Sequence, residues 1–189
     1  VAFARTRGYQ EYDGQGWTAY TVQDGLASDG VVAIATDPAG QRWFGTAGGG
    51  ISRFDGATWE TWFAADGPPH NTIQAVATRG VQVWFGTLGG ASRYDGATWR
   101  TYRASANGAG LINDSVRGIA LDGPERVWFA TAGGISLLEQ GSWRAYTTTH
   151  GLPTLDVRAV AVDRLGYAWA ATSAGIAAFD GERWHAYGA

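Results

Sequence analysis

The string WFGTAGGGISRFDGATWETW, residues 43–62, returns three more times at nearly constant distance. The copies are WFGTLGGASRYDGATWRTY from Trp84, WFATAGGISLLEQGSWRAY from Trp128 and WAATSAGIAAFDGERWHAY from Trp169, so successive first tryptophans stand 41, 44 and 41 residues apart. A period of about 40–45 residues holding four short strand-like runs is the mark of β-propeller blades. The expected fold is all-β: four full four-stranded antiparallel blades plus one three-stranded N-terminal blade, as a five-bladed ring or as the open part of a larger propeller.

Working outward from that string, Val31-Val32-Ala33-Ile34-Ala35 is an apolar run suited to a strand buried on both faces, and reads as strand a of its blade. Trp43-Phe44-Gly45-Thr46 is strand b, Ile51-Ser52-Arg53-Phe54 strand c and Trp59-Glu60-Thr61-Trp62 strand d. Asp55-Gly56 is a strong hairpin signal, since both residues tolerate positive φ. One domain of blades at about 1–21 (partial), 25–63, 67–102, 110–146 and 151–187 follows. The first segment carries the repeat without strand a: Val1-Ala2-Phe3-Ala4 lies on the WFGT position, followed by GYQEYDG and the closing Trp17-Thr18-Ala19-Tyr20.

The aligned columns carry packing information. Eight residues after each of Gly25, Gly67, Gly110 and Gly151 stand Ala33, Ala75, Gly118 and Ala159, tiny side chains that converging innermost strands require. Ile34, Val76, Ile119 and Val160 are large and are expected to fill the space between blades. The tryptophans at 43, 84, 128 and 169 on strand b, and at 59, 99, 143 and 184 on strand d, keep register with the blade and are expected to pack between blades.

Composition excludes several classes. A net charge of −3 without basic clusters argues against a nucleic-acid partner, which needs a concentrated positive stripe. No run of some 18 apolar residues appears, so no membrane span is expected. There is no Cys, hence neither disulfides nor a thiolate metal site. The chain starts Val1-Ala2-Phe3 without Met, which reads as loss of a true start by signal-peptide removal, other processing or truncation.

The string Gly-Leu, polar residues, Val-x-Ala-Ile-x-x-Asp, then Gly-x-x-Trp-Phe-Gly-Thr and Gly-Gly-Ile-Ser-Arg-Phe-Asp resembles the two-component regulator propeller repeat, most strongly over residues 24–63. The resemblance implies a bacterial, extracytoplasmic (periplasmic or secreted) sensor-type module that recognises carbohydrate-like ligands. The chain departs from the family in having fewer than five complete blades and no kinase or regulator segment. Propellers with similar repeats also include streptogramin lyases, whose chemistry uses a histidine base with a divalent metal. Here His70, His150 and His185 are the candidates, and all read as solvated histidines. No Ser-His-Asp spacing, HExxH, phosphate loop or calcium loop is present. The expectation is a non-catalytic protein with no cofactor and no metal.

The d–a loops differ in length and content, VQDGLASDG, AADGPPHNT, RASANGAGLINDS and TTTHGLPTLD, whereas the c–d hairpins are near copies. Variable loops on a rigid scaffold are where binding residues concentrate, so a saccharide or protein ligand is expected at the d–a/b–c face. The position before the tiny column reads Val32, Gln74, Arg117 and Arg158, and the two arginines offer planar donor forks to a carboxylate or to sugar hydroxyls. Asp29, Asn71, Asp114 and His70 complete the candidate set, with capping of their own turns as the competing duty for the first three. Val1, Ala2, Phe3 and Ala4 form an apolar edge strand with no strand a beside it, an expected site of self-association. The alternative function is thus a structural, self-assembling protein whose incomplete propeller is completed by neighbouring chains.

Overall fold

The structure is a computed structural model that describes residues 2–4 and 8–188, with side chains from residue 8 onward. Nineteen strands among the described residues form five antiparallel sheets of the β-propeller type. The first is three-stranded, with β1 (Ala2–Ala4), β2 (Tyr9–Tyr12) and β3 (Trp17–Tyr20). The second holds β4 (Val31–Thr36), β5 (Arg42–Thr46), β6 (Ile51–Phe54) and β7 (Trp59–Trp62); the third holds β8 (Ile73–Arg79), β9 (Gln82–Thr87), β10 (Gly90–Tyr94) and β11 (Trp99–Tyr102). The fourth comprises β12 (Val116–Leu121), β13 (Arg126–Thr131), β14 (Gly134–Glu139) and β15 (Ser142–Tyr146). The fifth comprises β16 (Val157–Val162), β17 (Ala168–Thr172), β18 (Gly175–Phe179) and β19 (Trp184–Tyr187). Each four-stranded sheet is an up-and-down meander, and no sheet among the described residues closes on itself.

Of the expected edge residues, Val1 lies outside the described residues, and Ala2–Ala4 form β1, paired Ala2 to Glu11, Phe3 to Gln10 and Ala4 to Tyr9. Two single 3-10 turns, Val22–Asp24 and Thr148–His150, interrupt the d–a loops. The chain divides into two compact units, Val1–Thr87 with Ser92–Thr101, and Leu88–Ala91 with Tyr102–Ala189.

In the first unit the Trp-Phe pair of β5 shows how a blade fills both of its faces. Neighbouring strand residues point to opposite sides, so Phe44 joins Tyr9, Leu26 and Phe54 on the side of the first sheet. Trp43 joins Ile73, Val83 and Phe85 on the side of the third. Ring centroids lie 4.7 Å apart for Phe44 and Tyr9, and 5.6 Å apart for Trp43 and Tyr94. A strand buried on both faces has no use for polar alternation, which is why β5 and β9 carry Trp-Phe-Gly and Val-Trp-Phe-Gly between polar end residues.

In the second unit the same rule holds between the fourth and fifth sheets. Trp128 is fully buried, 5.3 Å from Phe179 and 5.7 Å from Trp184. Ala170 stands where the other blades have Phe, and Trp184 is buried in the same cluster. The tiny column has its reason at Gly118, where an added Cβ would lie 3.1 Å from Ala159 Cα and 3.2 Å from Val160 N. The first strands of these two sheets approach backbone to backbone. The expectation that every strand-b tryptophan packs between blades fails at Trp169, which is 38% exposed. It is the Trp of the fifth sheet, on the face turned away from the fourth.

Candidate functional site

The first strands of the four full sheets, β4, β8, β12 and β16, share an irregularity that the sequence pattern hides. The pairing of strand a with strand b slips between Val31 and Ala33, between Ile73 and Ala75, between Val116 and Gly118, and between Val157 and Ala159. The skipped residues are Val32, Gln74, Arg117 and Arg158, the polar column of the sequence. Each is the extra residue of a β-bulge, a device that re-aims a side chain and recurs next to binding sites. The bulge lies where each d–a loop enters the sheet, and it makes this column free to vary without disturbing the pleat on either side.

In the second unit the two bulged arginines converge on one carboxylate. Arg117 Nη1 bonds Asp156 Oδ1, and Arg158 Nε stands 3.5 Å from Asp156 Oδ2. Asp156 lies just ahead of β16, where its backbone oxygen also accepts from Ser173 N–H at 3.1 Å. The hydrogen bond from Arg117 is the main reason its carboxyl sits below the usual range. Arg117 is largely committed to this pair. The side chain of Arg158 is 66% exposed, and its outer guanidinium nitrogens meet no partner among the described residues.

Asp156 was missed from sequence. Its column holds Gly30, Thr72 and Ser115 in the other blades, so no repeated carboxylate marks it. The available signal was its being the sole charged member of that column, two residues ahead of Arg158.

The remaining candidates are drawn into their own loops. Asp29 Oδ1 accepts from Val22 N–H at 2.9 Å, Asn71 Oδ1 from Ala64 N–H at 2.7 Å and Asp114 Oδ1 from Ala104 N–H at 2.6 Å. Their carbonyls accept from Gly8, Gly50 and Gly90 N–H respectively, at 2.7–2.8 Å. In each of these three loops one residue thus ties the start of the loop and the glycine that opens strand c, which fixes the loop on its sheet. Gln74 is the half-buried bulged residue of β8. His70 Nδ1 accepts from Thr72 N–H at 2.9 Å.

The other histidines are equally engaged. His150 Nδ1 accepts from Thr147 N–H at 3.1 Å, and His185 Nε2 is 2.5 Å from Asp180 Oδ2. Among the described residues no group of three or more His, Cys, Asp or Glu is placed to hold a metal ion. The Asp-Gly hairpins use their two residues differently: Gly56 takes positive φ, while Asp55 Oδ1 accepts from Ala57 and Thr58 N–H at 2.8 and 2.7 Å. The expected positive φ at the aspartate is absent, because its contribution is the acceptor. A further concavity, at the hairpin end of the first unit, is lined by Asp37, Gln41, Trp43, Arg53, Val81 and Tyr94.

No family model and no curated protein matches the chain. Among solved structures it is similar to the extracellular domain of a protein assigned as a hybrid two-component system from B. thetaiotaomicron, at 19% identity and TM-score 0.78, over 90% of this chain and 26% of that one. Another extracellular domain from B. thetaiotaomicron, assigned as a one-component system, shares 22% identity at TM-score 0.68, over 83% of this chain and 25% of that one. Virginiamycin B lyase from Staphylococcus aureus shares 13% identity at TM-score 0.72, over 96% of this chain and 62% of that one. The chain spans about a quarter of the length of the two extracellular domains. At the level of fold, the resemblance of the repeats to sensor propellers is met by these structures. Among the described residues no helix is long and apolar enough to cross a membrane.

Proposed function

We propose that the chain is a non-catalytic, extracytoplasmic recognition module of bacterial sensor-propeller type, which binds a saccharide or protein ligand at the d–a/b–c loop face. The observation that carries this reading is the Arg117, Asp156, Arg158 cluster on adjacent bulges of the second unit. An exposed guanidinium fork held beside a fixed carboxylate offers paired donors to a ligand carboxylate or to vicinal hydroxyls. Asp156 adds an acceptor for a hydroxyl. The non-catalytic part is supported by the histidines, each of which is spent on a neighbouring backbone N–H or on Asp180. The extracytoplasmic part is supported by the extracellular domains with which the fold is shared.

The test is calorimetric titration with neutral oligosaccharides and with oligosaccharides containing uronic acids. Arg158→Ala is expected to lower affinity about tenfold or more, the loss of one charge-assisted contact, with an unchanged melting temperature. Ligand binding that is indifferent to Arg158→Ala sinks the placement.

A second reading, self-association, is favoured by β1. It pairs with β2 along one side only, and its other side has no strand partner among the described residues. Such an edge templates pairing with another chain.

A further inference from the structure

The fifth sheet carries a largely apolar face that the repeat itself identifies as half of an interface. Trp169 is 38% exposed, Ile176 47% and Tyr187 52%, whereas Trp43 and Trp128 in the same strand-b position are 1% and 0% exposed. Ala159, Ala161 and Ala171 lie on the same face, and all three are exposed. At its outer strand the face also holds His185, paired with Asp180 at 2.5 Å. Trp169 and Tyr187 lie 6.1 Å apart, reproducing the Trp43–Trp62 pair at 5.5 Å. On the second sheet the guanidinium of Arg53 lies 5.4 Å over Trp43. The same slot on the fifth sheet is Ala178, so no guanidinium covers the ring of Trp169. Its indole N–H donates to Asp163 Oδ2 at 2.9 Å, as that of Trp43 does to Asp37 Oδ2 at 3.0 Å, so the polar edge is bonded alike in both and the ring face is what differs.

What receives such a tryptophan is visible twice. Trp43 meets Tyr94 at 5.6 Å, and its partner Trp62 meets Trp99 at 5.9 Å. Trp128 meets Phe179 and Trp184 at 5.3 and 5.7 Å. The receiving group is the aromatic at the end of strand c with the tryptophan that opens strand d. In the first sheet those two slots are Tyr12 and Trp17, 5.2 Å apart and 38% and 54% exposed. One chain therefore displays both halves of its own inter-blade contact.

We infer that the exposed face of β16–β19 docks a second copy of this chain, with Trp169 and Tyr187 of one copy seated on Tyr12 and Trp17 of the other. The inference rests on the self-association reading above, but it moves the contact from the backbone edge of β1 to two side-chain faces. Contiguous exposed apolar surface marks such interfaces, and aromatic anchors carry most of their energy. The two faces differ, so the contact is heterologous: every added copy leaves one new face of each kind, and chains lengthen unless the row closes.

Sedimentation and light scattering over a range of concentrations test this on the whole chain. The wild type is expected to form species larger than a dimer as concentration rises. Trp169→Glu and Trp17→Glu, both at exposed positions, are expected to raise the concentration of half-association by about tenfold or more, with circular dichroism spectra unchanged and urea midpoints lowered only slightly, so that both variants stay folded. The decisive step is mixing. Each variant keeps the face that the other has lost, so an equimolar mixture is expected to give a 1:1 dimer and nothing longer. A wild type that stays monomeric overturns both this contact and the edge reading. Association that survives both substitutions overturns the face contact and leaves the edge of β1 as the site. Loss on Trp169→Glu with full association of Trp17→Glu replaces the heterologous contact by a symmetric one between fifth sheets, which also overturns the proposal.

Discussion

Gly67 lies flat against the indole of Trp99: a Cβ built on Gly67 would stand 2.3 Å from Trp99 Cγ. Gly67 has no positive φ, so the residue is there for room alone. The d–a loop crosses over the outer tryptophan of the blade it is about to enter, and only glycine lets it lie that close.

Gly67→Ala is therefore expected to destabilise the first unit by about 1–3 kcal/mol, the usual range for overpacking a filled site. Gly16→Ala is the control, since nothing lies within 4 Å of a Cβ there, and its change is expected to stay within about 0.5 kcal/mol. Equal urea midpoints for the two variants would refute the steric account of Gly67.

The strand-b tryptophans divide by burial. Trp84→Ala and Trp128→Ala each remove a side chain that is at most 3% exposed and are expected to cost about 3–5 kcal/mol. Trp169→Ala is expected to cost about 1 kcal/mol, because over a third of that side chain meets solvent. Urea denaturation of the three single variants measures the difference. A Trp169 variant as damaged as the Trp128 variant would mean that the face is covered in solution.

This division shows where the sequence is legible. Columns in register reveal a blade, its strands and which residue goes to which side, because those depend on the contacts that every copy repeats. Trp169 keeps register with Trp43, yet its environment depends on the sheet across from it, which no column of its own blade encodes. The site is dimmer for the same reason. Arg117 and Arg158 stand out as a polar column, whereas the bulge that presents them is a slip in pairing between two strands. Asp156, which ties them together, occurs in one blade only. Asp29, Asn71 and Asp114 look alike in sequence for either duty, and only the loop geometry shows them bonded to backbone N–H groups.

The hairpin aspartates predict loss of stability in acid. The N–H groups of Thr58 and Ala57 hold the Asp55 carboxyl down at about 2. Backbone N–H groups also lower Asp13, through Gly16 and Gln15, and Asp95, through Thr98 and Ala97. A carboxyl whose pKa is lower folded than unfolded contributes stability that is fully present above the unfolded value, near about 3.9, and is lost as pH falls through the folded value. Stability from these turns is thus expected to be flat from about pH 7 to 5 and to decline from about pH 4 toward 2. Urea midpoints at intervals across that range measure it, and Asp55→Asn is expected to flatten part of the decline, since an amide oxygen still accepts but does not titrate. A midpoint at the acid end equal to that at neutrality would remove the role given to these carboxylates.

His150 does the work of a carboxylate. Asp24 Oδ2 accepts from Thr21 N–H at 2.8 Å, Asp66 Oδ2 from Phe63 N–H at 2.9 Å, and His150 Nδ1 from Thr147 N–H at 3.1 Å, each three residues ahead and just before the loop glycine. The ring nitrogen therefore fills the slot of an aspartate, and it accepts only while it carries no proton. His150→Asp restores the residue type of the other two loops and is expected to leave stability unchanged or slightly raised at neutral pH. His150→Ala removes the acceptor and is expected to cost about 0.5–1 kcal/mol, as the loss of a capping acceptor does. Thermal melts of both variants decide the matter: an alanine variant as stable as the wild type would make His150 a solvated side chain with no part in holding its loop.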